Sequence, residues 1–367
     1  MDYYNKPLYH FKPEKGWIND PNGLVYYKGY YHIFYQHCPN FETTKGEPVY
    51  WGHARTKDFL NWEQFPPALC PDKPYDCDGC WSGTAIVKDD VLYLFYTSIV
   101  KDKITLKPNQ AISVAYSTDG INFEKYRENP VITLTHSDGS PNFRDPAICL
   151  SDGKFQCVIA SGRPDNKKGR LLVYESENMF EWDYKGIMYE WDDCKYAECP
   201  SFVKIGSNHL LAASTVGINN ERSFSIMEGT VENHKFTSKI SAGTDNGPDQ
   251  YAGQFFTDDN GRCILISWIP GWHYEGVFQK DIGCLSLPRE IIIENEKIRA
   301  YPIKEVQHLL KDSDIAVIKT NDGFVIRREG KEDVVHKGDV TDLKVLRDQY
   351  VLEVFVNGGE DNYTVIL

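Results

Sequence analysis

Long apolar runs are missing from this sequence. Residues 1–16 contain no charged segment followed by an apolar one, and no stretch approaches the ~20 consecutive apolar residues that a membrane span needs. We therefore expect a cytoplasmic protein with no membrane partner. Basic residues are also scarce, since 40 lysines and arginines stand against 53 acidic residues and give a formal net charge of −13. This balance argues against nucleic acid as a partner, because its phosphates attract basic surfaces.

Cysteine and histidine residues with the spacing of metal ligands are scarce as well. Ten cysteines are present, but only Cys77 and Cys80 have C-x-x-C spacing, and no second pair or histidine cluster completes a zinc site. We therefore expect neither a metal nor an organic cofactor. Most of the other cysteines stand singly in strand-like runs, where a buried thiol is the usual interpretation.

What the sequence does contain is a pattern that occurs five times. Each copy has a short opening segment, a strand-like run rich in aromatic and β-branched residues, a polar turn and a second strand-like run. The markers Asp20, Gly83, Asp145, Glu198 and Ala252 stand at the same point of the five copies and are 63, 62, 53 and 54 residues apart. Repeats of this kind predict an all-β fold, a five-bladed β-propeller.

Three of the five markers are acids. In a propeller the first strand of each blade lines the central axis, so the residues that open the blades meet at one end of the channel. A single aspartate before a strand is usually a turn cap. That interpretation does not explain acids at the same point of three repeats. The pattern therefore predicts that Asp20, Asp145 and Glu198 form an active site.

The part of the chain beyond the repeats is short. We expect the propeller to occupy residues 1–301 and a linker helix to occupy residues 302–311, starting at Pro302. Residues 312–367 alternate apolar and polar positions in short strands, which predicts a β-sandwich-like domain. A two-sheet sandwich usually has about 100 residues, so this domain is expected to be truncated. An open strand edge on it would favour a homodimer.

Seven short segments carry a resemblance to a known family. They are Trp17-Ile18-Asn19-Asp20-Pro21-Asn22-Gly23, Trp51-Gly52-His53, Trp81-Ser82-Gly83, Phe143-Arg144-Asp145-Pro146, Glu198-Cys199-Pro200, Asp249-Gln250-Tyr251-Ala252 and Leu287-Pro288-Arg289-Glu290. In this order they resemble glycoside hydrolase family 32, which contains invertases, sucrose-6-phosphate hydrolases and fructanases. A later segment, Val351 to Gly359, resembles the C-terminal sandwich of the same family.

The resemblance implies a retaining β-fructofuranosidase. Such an enzyme breaks the bond at C2 of fructose with two carboxyl groups about 5–5.5 Å apart, a nucleophile and a proton donor. The family pattern makes Asp20 the nucleophile and Glu198 the acid/base. It gives the fructose hydroxyls to Asp145, with Arg144 fixing the charge and position of that acid. Further pocket positions that match the family are Asn19, Gln36, Trp81, Ser82, Asp249, Tyr251 and Trp268.

Nearby residues bear on the two catalytic roles. Asn19, Asn22 and backbone N–H groups are expected to keep the carboxylate of Asp20 ionised. Glu198 has to hold a proton near neutral pH, and a negative Asp20 beside it is expected to raise its pKa. The resemblance also implies that Cys199 is a small residue whose side chain shapes the surroundings of Glu198.

Three features leave alternatives open. Many family members carry a Trp-Gly pair at residues 40–49 that lines the fructose pocket, where this chain has only Lys45-Gly46. One wall of the expected sugar site is therefore left unassigned. Trp268 lies inside a strand-like run, so packing is an alternative to a pocket role. A basic cluster is interpreted first as a solvated loop, with contact to a sugar phosphate as the alternative. The members of this cluster are Arg163, Lys167, Lys168 and Arg170.

The expected substrates are small sugars, namely sucrose, sucrose 6-phosphate and short fructo-oligosaccharides. Two other classes of function fit the same residues. A fructosyltransferase would pass the fructosyl unit to a sugar instead of water, and a fructan-binding relative would bind without catalysis. The presence of all three acids argues against the binding protein.

Overall fold

The computed structural model describes residues 6–40, 48–270 and 283–367. In these ranges the regular structure is β-strand, apart from one 3₁₀ turn at Gln307–Leu309. None of the described residues belongs to a helix that is long and apolar enough to cross a membrane. The all-β class predicted from the sequence is confirmed.

Five antiparallel sheets follow one another along the chain. The first contains β1 (Trp17–Tyr27), β2 (Tyr30–Cys38), β3 (Tyr50–Thr56) and β4 (Trp62–Leu69). The second contains β5 (Gly79–Lys88), β6 (Val91–Lys101), β7 (Pro108–Ser117), β8 (Glu124–Lys125) and β9 (Ile132–Thr133), the last two both paired with β7. The third contains β10 (Phe143–Ser151), β11 (Lys154–Gly162), β12 (Lys168–Ser176) and β13 (Asp183–Asp192).

The fourth and fifth sheets continue this order. The fourth contains β14 (Cys194–Ile205), β15 (Asn208–Gly217), β16 (Arg222–Glu232) and β17 (Lys235–Ala242). The fifth contains β18 (Tyr251–Thr257), β19 (Cys263–Ile269), β20 (Cys284–Leu285), β21 (Arg289–Glu294) and β22 (Lys297–Pro302). The first strand of each sheet contacts the first strand of the next, and β18 also contacts β1.

Tight turns join the first two strands of the sheets, as the polar turns in the sequence predict. Lys28 and Gly29 have φ values of 48° and 80°, and Asp152 and Gly153 have 52° and 81°. Two-residue hairpin loops prefer positive φ at both central positions, because the resulting twist matches that of the strands. Glycine and aspartate accept this conformation more readily than β-branched residues do.

Every first strand is irregular at the point where the sequence markers stand. Its pairing with the second strand shifts register in all five sheets. The shifts lie between Ile18 and Pro21, Trp81 and Gly83, Arg144 and Ala147, Glu198 and Ser201, and Tyr251 and Gln254. A β-bulge bends its strand and re-aims the local side chains. Five such bulges therefore present five sets of side chains to one region.

The linker helix predicted for residues 302–311 is not formed. Pro302 is the last residue of β22, where it pairs with Arg289. The chain then makes successive i→i+3 hydrogen bonds, which is the spacing of a 3₁₀ turn. Ile303 and Val306 are buried in the core of the first and fifth sheets. The segment is too short and too closely bound to that core to form an α-helix.

The C-terminal part consists of two three-stranded sheets. One contains β23 (Val317–Thr320), β24 (Gly323–Ile326) and β25 (Val334–Lys337), and the other contains β26 (Leu343–Asp348), β27 (Val351–Val356) and β28 (Asp361–Ile366). Apolar residues of both sheets share one buried cluster. β27 is buried on both faces, because Val354 faces that cluster while Phe355 packs into the core of the first and fifth sheets.

Buried charges also join the C-terminal part to the rest of the chain. Asp348 accepts hydrogen bonds from the backbone N–H groups of Leu8, Tyr9 and His10. Arg289 is fully buried, and its two terminal nitrogens lie 2.8 Å from Oδ2 of Asp245 and 3.2 Å from Oε1 of Glu353.

Candidate active site

A cavity of about 540 Å³ lies where the bulged first strands meet. Nine of the eleven site residues predicted from the sequence line it, namely Asn19, Asp20, Gln36, Trp81, Arg144, Asp145, Glu198, Tyr251 and Trp268. The structure therefore brings together residues that are up to about 250 positions apart in the sequence. The two exceptions are Ser82 and Asp249, which are both fully buried.

Asp20 lies at the bulge of β1, and three donors surround one of its oxygens. Its Oδ2 accepts from Oγ of Ser82 at 2.6 Å, from Nε2 of Gln36 at 3.1 Å and from Sγ of Cys199 at 3.3 Å. Burial raises the pKa of Asp20, and the hydrogen bond from Ser82 opposes this without cancelling it. Loss of water on burial therefore outweighs these three donors, and the sequence-based expectation did not take this burial into account.

Glu198 lies at the bulge of β14 and has cations at both oxygens. Its Oε1 accepts from Nη2 of Arg144 at 2.8 Å. Its Oε2 accepts from the hydroxyl of Tyr251 at 2.5 Å and from Nη1 of Arg222 at 3.4 Å. Burial opposes ionisation, but these partners outweigh it and hold the pKa of Glu198 below its usual range. The predicted increase in the pKa of Glu198 was therefore wrong, because the positive charge of Arg144 is the largest of the effects that lower it.

Asp145 lies at the bulge of β10 with a φ of 57°. Its backbone N–H donates to Oγ1 of Thr97 at 2.8 Å, which holds this backbone conformation, and its Oδ2 accepts from the backbone N–H of Cys199 at 2.9 Å. Burial raises the pKa of Asp145 to about 7, although the charge of Arg144 opposes the increase. The negative charge of Asp20 adds to it. Asp145 is thus a carboxyl group that titrates near neutral pH.

Arg144 lies between two of the acids. Besides its bond to Glu198, its Nε lies 3.7 Å from Oδ2 of Asp145, and its Nη1 donates to Oδ1 of Asn142 at 2.9 Å. The guanidinium carbon stands 5.0 Å from the ring centroid of Tyr196. These contacts fix one buried positive charge among three carboxyl groups.

Ser82 and Asp249 have other positions than the sequence predicts. Ser82 lies behind Asp20 and bonds its carboxylate, so it supports the cavity wall without forming it. Asp249 contacts the C-terminal part, where its Oδ2 lies 3.2 Å from Nη2 of Arg328 and accepts from the backbone N–H of Ile366 at 2.8 Å. The prediction that Asp249 lines the substrate pocket is corrected. Its carboxylate points towards β28, because the chain before β18 runs along the edge of the C-terminal sheets.

Aromatic rings form much of the remaining wall. Trp17 and Trp268 both line the cavity and meet edge to face, with ring centroids 6.4 Å apart. Trp268 is only 3% exposed and belongs to a buried cluster with Cys199 and Tyr251, so it packs and lines the cavity at once. The difference from the family at Lys45-Gly46 lies outside the described residues.

Sequence reasoning missed several wall residues. Trp17 could have been predicted, because it is the first residue of the first family-like segment. Arg222 carried no signal, because it lies 24 residues after Glu198 at the start of β16 and outside every motif. Asp78 and Lys101 also line the cavity, and the backbone N–H of Lys101 donates to Oδ2 of Asp78 at 2.7 Å.

The basic cluster and the C-x-x-C pair lie away from the acids. Lys168 and Arg170 both form ion pairs with Glu190, and Arg163 pairs with Asp165. None of these cluster residues belongs to the described cavity wall. All ten cysteines are free thiols, with Cys77 exposed and Cys80 buried.

Comparison with known proteins places this geometry in a family. The model of the glycosyl hydrolases family 32 N-terminal domain matches residues 10–302. A sucrose-6-phosphate hydrolase of Zymomonas mobilis subsp. mobilis is 34% identical over 336 residues, which cover 86% of this chain and 65% of that protein. A raffinose invertase of Escherichia coli is 32% identical over 335 residues, which cover 83% of this chain and 66% of that protein. This chain thus spans about two thirds of the length of these relatives.

Solved structures agree with the sequence relatives. A GH32 beta-fructofuranosidase of Bombyx mori matches with a TM-score of 0.84 and 28% identity, covering 100% of this chain and 89% of that one. A sucrose-6-phosphate hydrolase of Lactobacillus gasseri matches with a TM-score of 0.86 and 22% identity, covering 100% and 89%, and it supports the fold alone. Because the family model covers most of the sequence, the chain belongs to glycosyl hydrolase family 32.

Proposed function

We propose that the protein is a retaining β-fructofuranosidase. It hydrolyses the terminal β-D-fructofuranosyl bond of sucrose, sucrose 6-phosphate or short fructo-oligosaccharides. The observation that carries this proposal is the meeting of Asp20, Asp145 and Glu198, from three different sheets, in one cavity. The names of the relatives, a sucrose-6-phosphate hydrolase and a raffinose invertase, support the same class of substrate.

The reaction proceeds in two steps with Asp20 as the nucleophile. Its carboxylate attacks C2 of the fructosyl unit while Glu198 gives a proton to the departing glycosidic oxygen, which leaves as an alcohol. The product of this step is a fructosyl ester on Asp20. Glu198 then takes a proton from a water molecule, whose oxygen attacks C2 and releases Asp20 as a carboxylate. The configuration at C2 is retained because it is inverted twice.

The proposed mechanism requires substrate binding to bring a proton to Glu198. The partners of Glu198 hold its pKa below the usual range, whereas burial raises the pKa of Asp20 and of Asp145. These groups interact closely and titrate as a set. The hydroxyl of Tyr251 already bonds Glu198 and fixes the orientation of its carboxyl group. A substrate that takes over the hydrogen bonds of Arg144 would raise the pKa of Glu198.

Asp145 and Arg144 bind the fructosyl unit in this proposal. Asp145 accepts hydrogen bonds from fructose hydroxyls, which strengthen as positive charge develops on the ring in the transition state. Asn19, which has a buried Oδ1 without a protein donor, supplies an acceptor for a sugar hydroxyl. The rings of Trp81 and Trp268 supply the apolar wall.

We also propose that the five sheets are the blades of a closed five-bladed propeller formed by residues 1–301. The contact of β18 with β1 supports closure, since it brings the fifth sheet against the first. Residues 312–367 are then a sandwich-like part whose two small sheets share one core. Cytoplasmic location and a homodimer stay predictions.

One experiment tests the function and its alternatives. We expect the purified protein to release glucose and fructose from sucrose in equal amounts, or the corresponding products from sucrose 6-phosphate. At high sucrose concentration a fructosyltransferase would release more glucose than fructose and form trisaccharides. No release from any fructoside would overturn the proposal and favour a binding protein.

A further inference from the structure

Three of the five first-strand bulges contain a non-glycine residue with a positive φ. These residues are Asp145 with a φ of 57°, Cys199 with 44° and Ala252 with 51°. Residues other than glycine rarely take this conformation, because Cβ then comes close to the carbonyl oxygen that follows. A bulge also takes its residue out of the strand pairing, so the buried backbone N–H needs another acceptor. The position of each bulge residue therefore depends on the group that its N–H contacts.

In each case this acceptor belongs to the preceding sheet. The N–H of Asp145 donates to Oγ1 of Thr97 on β6 at 2.8 Å, and the N–H of Ala252 donates to Oγ of Ser214 on β15 at 3.1 Å. The N–H of Cys199 donates at 2.9 Å to Oδ2 of Asp145 itself. All five residues are buried. The three bonds link the second sheet to the fifth through the third and the fourth.

Thr97 is the first acceptor of this series, and it contacts two of the segments that support the acids. Its hydroxyl accepts from the N–H of Asp145 and donates to the backbone oxygen of Ser82 at 3.0 Å. Ser82 in turn donates through Oγ to the carboxylate of Asp20 at 2.6 Å. Thr97 is fully buried. One buried hydroxyl group thus holds the bulge of β10 against the bulge of β5.

The place of the Asp145 carboxylate depends on the backbone conformation that this hydroxyl supports. A different φ at Asp145 turns its Cα–Cβ bond, which moves the carboxylate away from the N–H of Cys199 and from Nε of Arg144, 3.7 Å away. A misplacement of about 1 Å can lower the rate of an enzyme about 100-fold. The hydrogen bonds from fructose hydroxyls to Asp145 are strongest in the transition state, so such a shift lowers kcat more than it raises KM.

We propose that Thr97 is a positioning residue for the hydrolysis, whose hydroxyl group holds the carboxylate of Asp145 where it binds the fructosyl unit. This proposal rests on the proposed function. It gives a role in the reaction to a residue that lies outside the seven family-like segments. Thr97 does not belong to the described wall of the cavity, so it acts through Asp145 and not on the substrate itself.

Removing the hydroxyl group while keeping the shape of the side chain tests the proposal. Thr97→Val leaves the N–H of Asp145 and the backbone oxygen of Ser82 without this partner. On the fructoside that the unmodified protein hydrolyses fastest, we expect kcat to fall about 10- to 100-fold and KM to change less than about threefold. Thr97→Ser keeps the hydroxyl group and should retain kcat to within about threefold.

Ser98→Ala is the matched control. Ser98 is the next residue of β6 and is also buried. Its Oγ donates to the backbone oxygen of Ala111 at 3.1 Å and accepts from Oγ of Ser113 at 2.9 Å. This variant therefore loses two buried hydrogen bonds, as Thr97→Val does, but neither bond leads to an acid of the cavity. We expect similar decreases in melting temperature for the two variants, with kcat of Ser98→Ala within about twofold of the unmodified protein.

Crystal structures of the substrate-free variants give a readout that does not need turnover. In Thr97→Val, we expect φ of Asp145 to leave the left-handed region and its bond with the N–H of Cys199 to be lost. Ser98→Ala should keep both features. If Thr97→Val does not fold, Thr97→Cys takes its place, because a thiol is similar in size to the hydroxyl but a weak acceptor, and kcat should fall at least about threefold.

The outcomes separate the two proposals. No fructose from any fructoside overturns the proposed function and with it a role of Thr97 in hydrolysis, whatever the crystal structures show of Asp145. Where fructose is released, an unmoved Asp145 or an unchanged kcat in Thr97→Val overturns the role of Thr97 alone. An equal loss of kcat in Thr97→Ser or in Ser98→Ala does the same, because it would show that the loss does not depend on the hydroxyl group that contacts Asp145.

Discussion

Buried acids occur in two regions of this molecule, and their surroundings differ. In the cavity, Arg144 lies near Glu198 and Asp145, and the more exposed Arg222 contacts Glu198 as well. At the junction with the C-terminal part, three acids share the two cations Arg289 and His10. The cavity acids are Asp20, Asp145 and Glu198, and the junction acids are Asp245, Asp348 and Glu353.

The placement of cations and amide donors around the acids decides the pKa values in each region. At the junction, burial opposes ionisation but the cations and backbone N–H groups outweigh it, so the pKa values of Asp348 and Glu353 lie below their usual range. In the cavity the donors are too few, and the pKa values of Asp20 and Asp145 lie above it. The ion pairs at the junction therefore stabilise the fold. The acids of the cavity are unfavourable for folding when ionised, which is typical of a functional site.

The largest expected effect is on catalysis. Asp20→Asn should reduce turnover of every fructoside by about 10⁴-fold or more, because an amide cannot form the fructosyl ester. The variant should stay folded, since it removes a buried carboxyl group whose ionisation burial opposes. Steady-state kinetics and a thermal melt measure both properties.

Glu198→Gln provides the matched comparison for this substitution. Its activity should recover in part on a fructoside whose leaving group needs no proton, while Asp20→Asn shows no recovery. Equal recovery in the two variants would refute the assignment of nucleophile and proton donor.

The next largest effect is on stability and lies at the junction. Arg289→Met should lower the free energy of unfolding by about 3–5 kcal/mol, because Asp245 and Glu353 would stay buried without their cation. Urea unfolding measures the loss. Arg299→Met is the control, since Arg299 pairs with the exposed Glu294 and should change stability by less than about 1 kcal/mol. Similar losses of stability in both variants would show that the buried ion pairs of the junction contribute no more than an exposed ion pair.

The sequence predicted the β-strands and the gathering of the acids because both depend on a repeated local pattern. Runs rich in aromatic and β-branched residues predict strands, and acids at the same point of three repeats, such as Asp145, are expected to reach the same place. The expected increase in the pKa of Glu198 was wrong for a different reason. The pKa of Glu198 depends on Arg144 and Arg222, and Arg222 has no place in any repeat or motif.

Long-range contacts were also beyond the sequence. Asp249 stands beside Tyr251 in a family-like segment, yet its carboxylate bonds Arg328, which is 79 residues away. The segment after Pro302 has an apolar pattern with helical spacing, but Pro302 itself pairs with Arg289 at the end of β22 and the chain beyond it forms only a 3₁₀ turn. In both cases tertiary contacts decided between local alternatives of similar energy.

A smaller effect concerns pH and Asp145. Its pKa of about 7 in the folded protein is above the usual value of 3.8. The stabilisation from a protonated Asp145 is therefore fully present below about pH 3.8 and is lost as the pH rises through 7. Asp145→Asn should be more stable than the unmodified protein at pH 8, by roughly 4 kcal/mol at most. Denaturant unfolding at pH 5 and pH 8 tests this.

The pKa of Asp58 is shifted in the opposite direction to that of Asp145, so Asp58 serves as a control. Burial works against its ionisation, but the backbone and side-chain amides of Asn61 and the N–H of Leu60 hold the pKa of Asp58 at about 2. Asp58→Asn should therefore lose stability at neutral pH, where its carboxylate is the favoured form. A gain of stability in both Asp145→Asn and Asp58→Asn would contradict the opposite effects expected for these two acids.

The smallest effect is that of His10 at the junction. Burial alone would lower its pKa, but hydrogen bonds with Asp348 and Glu353 raise the pKa of His10 to about 9. The stabilisation from this cation is fully present below about pH 6.5 and is lost as the pH rises through 9. Between pH 7 and pH 10 the free energy of unfolding should fall by about 2 kcal/mol more in the unmodified protein than in His10→Gln. His308→Gln, at an exposed histidine, should follow the unmodified protein. If His10→Gln showed the same loss with pH as both of these, the junction would not depend on a charged His10, and its stability would come from Arg289 and the backbone donors alone.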